Sequence, residues 1–188
     1  MSSKYRCTGC KEYFPKPAIA INAGKFHSID CATGYAQEKS AKLKATTAKK
    51  KHTKAKKELK DNDKSFQLKK TQIIFNRYIR IRDSGKPCIS CYRFHSGQNH
   101  AGHYRSVGSC PELRFDPRNC YLQCSPCNNH KSGNIIPYRS NLVDCFGQEL
   151  VELLEGPHEP KRYTIANLVT LQRWYKRKTK RMERNAKN

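Results

Sequence analysis

Two stretches decide the fold of the central part of this chain: Cys88-Ile-Ser-Cys91 and Cys124-Ser-Pro-Cys127-Asn-Asn-His-Lys131. Each contains two cysteines three positions apart, a spacing that lets both sulfurs face one ion across a tight turn. Four thiolates complete the coordination of a tetrahedral zinc ion and leave no position for water, so this ion would be structural. Because the segment has few apolar residues, we expect zinc on Cys88, Cys91, Cys124 and Cys127 to supply much of its folding energy.

A second set of metal-ligand residues lies near the N-terminus. Cys7-Thr-Gly-Cys10 is followed by His27-Ser-Ile-Asp-Cys31. Residues four apart share one face of a helix, so His27 and Cys31 can meet the first cysteine pair at one ion. The spacing predicts a second structural zinc site, with three thiolates and one imidazole, in a zinc-finger-like unit over residues 1–34.

The composition excludes several classes of protein. The chain has 188 residues, of which 38 are lysine or arginine and 15 are aspartate or glutamate, giving a net charge of +23. It lacks an apolar stretch of the roughly 20 residues that cross a bilayer, and its start lacks the basic-then-apolar pattern of a signal peptide. We therefore expect a cytoplasmic protein that binds a polyanion and no membrane. In a reducing compartment, paired cysteines favour metal binding over disulfides.

The rest of the chain divides by composition into three further segments. Residues 35–84 contain no proline or glycine, and residues 39–70 carry 13 lysines. A solvated helix or a disordered tail fits this composition, but the density of like charge favours neutralisation by phosphates, so we expect a helical DNA-binding arm. Its expected phosphate contacts are Lys49, Lys50, Lys51, Lys54, Lys56 and Lys57. Residues 85–137 form the expected core, and residues 138–188 form C-terminal helices with a basic tail.

Hydrophobic periodicity and turn residues predict the elements around the core. Apolar residues recur at helical spacing at Ile74, Tyr78 and Ile81. Residues 138–155 also read as helical, although Gly147 weakens that pattern, and Thr164 is the expected N-cap of a last helix over residues 165–184. The short β-like runs are residues 103–107 and 119–123.

The polar residues around the four cysteines follow the order of an HNH nuclease site. They are His103 on a strand, Asn119 in the following turn, and Asn128 and His130 on the closing helix. Hydrolysis of a phosphodiester needs a base that deprotonates water, and the imidazole of His103 supplies one near neutral pH. It also needs a divalent cation, and oxygen and imidazole ligands suit Mg²⁺ or Mn²⁺ whereas thiolates do not. The sequence therefore predicts a catalytic ion separate from the structural zinc.

Several of these residues have a second interpretation. Asn119 fits a structural role, in which it bonds the loop that presents His103, better than ligation. Asn128 is either a ligand or a helix N-cap, and His130 is either a ligand or a phosphate contact. Arg105 and Lys131 are expected DNA contacts. The residues without a spacing partner are expected to pack or to lie in loops; they are His95, Cys110, Cys120 and Cys145.

Several strings in this core resemble the NinG (Rap) recombination endonuclease family of lambdoid phages. They are Pro87-Cys-Ile-Ser-Cys91, Ala101-Gly-His-Tyr-Arg105, Leu113-Arg-Phe-Asp116, Arg118-Asn119, Cys127-Asn-Asn-His-Lys-Ser-Gly-Asn134 and Pro137-Tyr-Arg139. The resemblance implies cleavage of branched DNA, such as Holliday junctions and D-loops, during phage recombination in the cytoplasm of the bacterial host. It also implies an α+β fold: a small zinc-stabilised ββα-metal (HNH-like) nuclease core, flanked by long basic helices and preceded by the zinc-finger-like unit.

The chain departs from the family pattern at its metal ligands. The family has an aspartate where this chain has His100, so the resemblance implies that His100 and Asn128 hold the catalytic ion. An imidazole ligand favours Mn²⁺ or another transition ion. Many HNH sites also place an aspartate or histidine directly before the base, where this chain has Gly102. At the N-terminal site, His27 and Cys31 come in the reverse of the family's order.

Two functions fit the sequence: a metal-dependent endonuclease, or a non-enzymatic zinc-finger accessory protein that binds DNA or RNA. The polar residues crowded around the zinc cysteines favour the nuclease, since a zinc finger has no need of them. Resolving a four-way junction takes two opposed nicks, which a homodimer can make together. The interfaces considered are the face of Ile74, Tyr78 and Ile81 and the apolar face of residues 142–154, and both faces can equally well cover the core.

Overall fold

The computed structural model describes residues 4–16 and 18–186, whose contacts form two compact units. The first unit ends at Leu59 and the second begins at Lys60. Helices and short strands are both present, which confirms the expected α+β class. None of the described helices is long and apolar enough to cross a bilayer. The four segments expected from composition remain a prediction about domains.

Two short hairpins build the first unit. Strands β1 (Tyr5–Arg6) and β2 (Tyr13–Phe14) pair antiparallel, as do β3 (Ile19–Ile21) and β4 (Gly24–Phe26). The buried side chains include Cys7 and Phe26, and the Phe14 ring stacks on His27 with 4.2 Å between centroids. An apolar core of this size contributes little stability. A metal ion bound by the cysteines and the histidine of this unit would therefore have a structural role.

The lysine-rich segment forms two helices, α1 (Ile29–Asp61) and α2 (Lys64–Arg82). The side chains of α1 are all exposed or half-buried, so this helix has no face that packs on a core. The break comes where Asp63 caps α2, because its carboxylate accepts from the backbone N–H groups of Ser65 at 2.8 Å and Phe66 at 3.2 Å. An aspartate in this role ends one helix and starts the next.

Helix α5 (Ile165–Asn185) packs along α2 in the second unit. Thr164 caps it as expected, with Asn167 completing the capping box. Apolar and polar side chains share the interface: the Phe75 and Tyr175 rings lie 5.1 Å apart, and the buried amide of Gln172 donates to Gln67 Oε1 at 2.9 Å. Gln67 in turn donates its Nε2 to the carbonyl of Asp61 at 3.1 Å, and this buried network fixes one register between the helices.

A two-stranded hairpin, β5 (Asn99–His103) with β6 (Cys120–Cys124), forms the centre of this unit. The expected strand over residues 103–107 is wrong: the strand ends at His103, because Arg105 turns away to bond the Asn119 side chain. The hairpin is anchored on α2 by the C-cap residue Asp83, whose Oδ2 accepts from Leu122 N at 3.2 Å. The end of β5 therefore has a fixed position relative to α2.

Two helices cover the other face of the hairpin, α3 (Ile135–Phe146) and α4 (Gln148–Glu155). The continuous helix expected over residues 138–155 is wrong, because Gly147 lies between them at φ +89°, a conformation that ends a right-handed helix. Leu142 and Leu154 are fully buried in this core, and Tyr78 packs against the α2–α5 core. The two faces proposed as dimer interfaces are thus partly buried within this unit. The homodimer remains a prediction.

Candidate metal and nucleic-acid site

Four cysteines of the second unit meet at one point. The ligand atoms of Cys88, Cys91, Cys124 and Cys127 all lie within 4.8 Å of one another, and the Cys91 and Cys124 sulfurs are 3.9 Å apart. Zinc–sulfur bonds of about 2.3 Å place tetrahedral thiolates roughly 3.8 Å apart. The cluster joins the turn before β5 to the end of β6, and it can hold a structural metal ion such as zinc.

His95 lies beside this cluster, a position that its sequence spacing did not predict. Its Nε2 is 3.2 Å from the sulfur of Cys91, close enough for an N–H to donate to a thiolate. A donor of this kind stabilises the charge on a sulfur without occupying a metal coordination position. The only signal in the sequence is that His95 follows Cys91 by four residues.

The N-terminal ligand set also converges. Cys7, Cys10, His27 and Cys31 place one ligand atom each within 4.8 Å of the others. The ligating nitrogen is Nδ1 of His27, which lies 3.4 Å from the Cys7 sulfur and 3.5 Å from the Cys10 sulfur. Gly9 is the residue that the turn requires, since a Cβ there would collide with the sulfur of Cys31. This set, too, can hold a structural metal ion.

His103 stands at the end of β5 with one ring nitrogen anchored. Its Nε2 lies 2.9 Å from the backbone carbonyl oxygen of Arg114, which can only accept, so the proton is on Nε2 and Nδ1 carries the lone pair. Burial lowers the pKa of His103, and the bond to Arg114 opposes this shift without overcoming it. The ring is therefore neutral at neutral pH, and its Nδ1 lies 3.9 Å from the sulfur of the buried Cys120.

Asn119 holds the chain just after His103. Its buried Oδ1 accepts from Arg105 N at 2.8 Å, its Nδ2 donates to Arg105 O at 3.0 Å, and its own carbonyl accepts from Tyr104 N at 2.8 Å. These bonds occupy the amide with backbone partners. The geometry matches the structural interpretation of Asn119, in which it fixes the position of His103.

Two amide oxygens converge on the space above Gly102. Gln123 is fully buried, and its Nε2 donates to Ser90 Oγ and to Gly133 O, both at 2.5 Å. These bonds turn Oε1 towards Gly102, where it fills the space of a Cβ and has no hydrogen-bond partner among the described residues. The Oδ1 of Asn128 lies 3.0 Å from the same Cβ position. Amide oxygens are among the ligand types that divalent cations accept.

His100 lies on the same face of β5 as Gly102, because alternate residues of a strand share a face. It pairs directly with Gln123 across the hairpin. Its Nε2 is buried and unpartnered within the part of the chain that the structure describes. His100 thus presents a buried nitrogen on the face of the hairpin that carries Gln123. Sequence reasoning had named His100 and Asn128 as expected ligands and had not considered Gln123.

Asn128 and His103 line one cavity of about 530 Å³, together with Arg105. The N-cap alternative for Asn128 is wrong: the turn Pro126–His130 begins after Ser125, α3 begins after Asn134, and Asn128 donates its Nδ2 to Asn129 Oδ1 at 2.8 Å. That bond directs its oxygen towards Gly102.

The remaining expected site residues lie on exposed surfaces. His130 and Lys131 are exposed and do not line the cavity. The lysines expected to bind phosphates are all exposed on α1, and they are Lys49, Lys50, Lys51, Lys54, Lys56 and Lys57. On α1, Glu38 forms an ion pair with Lys42, which is not one of these six lysines. The charges of the six lysines are thus available to an anionic partner.

Known proteins resemble the chain over most of its length. A family model described as "Bacteriophage Lambda NinG protein" matches residues 1–185. Protein ninG of Escherichia phage 933W is 44% identical over 117 residues, which is 62% of this chain and 58% of that protein. Protein ninG of Escherichia phage lambda is 44% identical over 62% of this chain and 57% of its own length. Protein ninG of Salmonella phage P22 is 42% identical over 62% of this chain and 58% of its own length. These alignments span little more than half of each relative. No solved structure matches the chain.

Proposed function

The chain belongs to the NinG family of lambdoid phages, and we propose that it is a metal-dependent endonuclease that cleaves branched DNA. The observation that carries the proposal is His103, which is anchored through Nε2 and lines the same cavity as Asn128. Its Nδ1 lies 3.9 Å from the sulfur of Cys120, whose thiol is only a weak hydrogen-bond donor. The exposed lysines of α1 supply the affinity for a polyanion.

In this proposal, His103 acts as the general base. Its Nδ1 accepts the proton of a water molecule that attacks the scissile phosphate, and Arg114 O holds the ring orientation by accepting from Nε2. Protonation makes the ring a cation with both nitrogens as donors, and the carbonyl of Arg114 stabilises that form. Asn119 keeps the following backbone from moving away.

The residues around Gly102 fit a divalent cation. The unpartnered Oε1 of Gln123 and the Oδ1 of Asn128 point into the space that a side chain would fill, and the buried Nε2 of His100 has no other partner among the described residues. His100, Gln123 and Asn128 would hold the ion. When bound, such an ion neutralises charge on the scissile phosphate and on the leaving oxygen. One nitrogen and two oxygen ligands suit Mn²⁺ better than Mg²⁺.

None of the three proposed ligands carries a negative charge, which has a consequence for binding. A site without a carboxylate does not balance the charge of a divalent ion, so the phosphates of the DNA become part of its coordination. Ion binding and DNA binding then strengthen each other by the same factor. This coupling keeps the free protein largely without its catalytic ion.

The proposed substrates are four-way junctions and D-loops. Lysine side chains make point-charge contacts to phosphates that carry no sequence information, so the arm suits recognition of DNA without a fixed target sequence. Resolution of a junction by paired nicks further calls for a homodimer on the DNA. Sedimentation of the protein–junction complex measures this directly, and one chain per junction in an active complex contradicts it.

The proposal is tested with zinc-loaded protein and two end-labelled substrates, a four-way junction and a duplex of the same sequence. With added Mn²⁺, we expect nicks near the branch point of the junction and much slower cleavage of the duplex. Omission of the added ion should stop cleavage and weaken DNA binding, while the lysine contacts keep part of the affinity. Binding of both substrates without cleavage under any divalent ion contradicts the proposal and favours the alternative, a non-enzymatic zinc-dependent protein that binds nucleic acid.

A further inference from the structure

Trp174, the only tryptophan of the chain, lies on an exposed basic stripe of α5. Its side chain is 37% exposed, and it lines a shallow cavity of about 230 Å³ with three cationic residues, Arg177, Lys178 and Arg181. These four residues are spaced at i, i+3, i+4 and i+7, so they follow one face of the helix. The stripe shares no residue with the lining of the cavity of His103.

The indole ring is held from its inner side. Its centroid lies 4.7 Å from that of Tyr175 in an edge-on contact and 6.0 Å from that of Tyr78 on α2. Tyr175 is itself buried and donates its hydroxyl to Phe115 O at 2.6 Å. The ring is therefore a preorganised surface, and little side-chain entropy is lost when a ligand stacks on it.

The charges beside the ring are available. In the described part of the chain, the nearby acid Glu183 pairs with Arg77 of α2 at 2.7 Å, and the ion pairs recorded do not involve Arg177, Lys178 or Arg181. The ammonium group of Lys178 lies over the indole, 5.2 Å from its centroid. A phosphate can draw this ammonium away from the ring, which exposes the indole face to a base.

We infer that this stripe binds unpaired DNA bases. The inference rests on the proposed function in one respect, which is that the partner is DNA. Trp174 stacks on one base, while Arg177, Lys178 and Arg181 bind the phosphates on either side of it. Base-paired DNA hides the faces of its bases, whereas a branch point or a displaced strand exposes them. The inferred ligand is thus a short single-stranded segment, which is present in D-loops and at open junctions.

The test uses the intrinsic fluorescence of Trp174 in the full zinc-loaded protein. It is titrated with a thymidine oligonucleotide, with an abasic oligonucleotide of the same length, and with a duplex. Stacking predicts strong quenching by the thymidine strand and little by the abasic strand, although both carry the same phosphates. Equal quenching by the two single strands would show a contact to phosphate alone and would overturn the inference.

Two substitutions separate stacking from charge. Trp174→Leu keeps an apolar side chain but removes the aromatic face, and it should weaken binding of a labelled thymidine strand about tenfold, the loss expected for one stacked base. Trp174→Phe keeps an aromatic face and should retain most of the affinity. Arg177→Gln should lower the slope of log affinity against log salt by about 0.7, the value for one phosphate of a single strand.

Junction cleavage is measured on the same wild-type preparation. Cleavage without differential quenching overturns the inference and leaves the endonuclease in place. If the thymidine strand quenches more than the abasic strand but no cleavage occurs, the single-strand site is supported and the nuclease is contradicted. Unchanged affinity of a folded Trp174→Leu variant, with its helical circular dichroism retained, also overturns the stacking role.

Discussion

The amide oxygen of Gln123 fills the space that a side chain on Gly102 would need, one residue before His103. The two residues are therefore matched: the glycine leaves a gap, and the glutamine directs an unpartnered oxygen into it from the opposite strand. In the proposed nuclease, this oxygen would stand in for the acidic ligand that HNH sites often carry directly before the base. The fit between Gly102 and Gln123 would then give the proposed cation site its shape.

Gly102→Ala should destabilise the second unit by about 1–3 kcal/mol, because the new methyl group collides with Gln123. In a Gln123→Ala background, the same substitution should cost much less, since the colliding oxygen is absent. Thermal or urea unfolding of the two single variants and the double variant measures this coupling. If the losses of stability in the two single variants simply added up in the double variant, Gly102 and Gln123 would not be coupled.

Gln123→Met should weaken Mn²⁺ binding in the presence of DNA, because it keeps the volume of the side chain and removes the ligand oxygen. His100→Asp should strengthen Mn²⁺ binding to the free protein and improve the use of Mg²⁺, since it adds a charged oxygen ligand. Electron paramagnetic resonance of Mn²⁺ reports both effects without reference to cleavage. Unchanged affinity in both variants would exclude these residues as ligands.

The parts of the site that could be predicted from sequence are those defined by local spacing. The eight expected zinc ligands were predicted from Cys-x-x-Cys pairs and a His-x-x-x-Cys spacing, and the structure brings each set of four together. The cap at Thr164 was equally local. Short-range patterns of this kind depend on backbone geometry that a few neighbouring residues determine.

The parts that sequence could not supply depend on contacts between distant segments. Gln123 acquires its role only because Gly133 and Ser90 orient its amide and because Gly102 lacks a side chain. The strand assigned from residue 103 onward failed for a similar reason, since the Asn119 side chain competes for the backbone of Arg105. The one available signal was a glutamine in a run whose other residues are cysteine, tyrosine and leucine.

Elemental analysis should find two zinc ions per chain. Cys88→Ser should lose one ion and unfold the second unit, because much of the folding energy of a small metal-bound core is metal binding. Cys7→Ser should lose the other ion and leave the second unit folded. Cys145→Ser is the matched control, since Cys145 is exposed and belongs to neither cluster. Active protein without bound zinc would refute both sites.

Replacing the six exposed lysines of α1, residues 49, 50, 51, 54, 56 and 57, by glutamine should weaken binding to junction and duplex equally. Each lost phosphate contact lowers the slope of log affinity against log salt by about 0.9, so the full set should lower it by about 5. Fluorescence anisotropy at several salt concentrations gives the slope. If the variant lost its preference for the junction over the duplex while its overall DNA affinity was unchanged, the α1 lysines would instead recognise the shape of the DNA.

Cleavage should depend on pH through His103. Because burial lowers the pKa of this imidazole, its base-competent neutral form predominates down to a pH below the ordinary value of about 6.5. The rate should therefore rise with pH with a midpoint below pH 6.5, while acid should both protonate the ring and destabilise the fold around it. A midpoint above pH 7 in single-turnover cleavage would assign the titration to another group.

The most direct test of the account is single-turnover cleavage of a labelled four-way junction by wild type and by His103→Ala, with Mn²⁺ present and binding measured in parallel. The account predicts that the variant binds the junction with wild-type affinity, keeps both zinc ions, and cleaves at least a hundredfold more slowly, the lower limit for loss of a general base. Wild-type cleavage by a folded His103→Ala protein would contradict it.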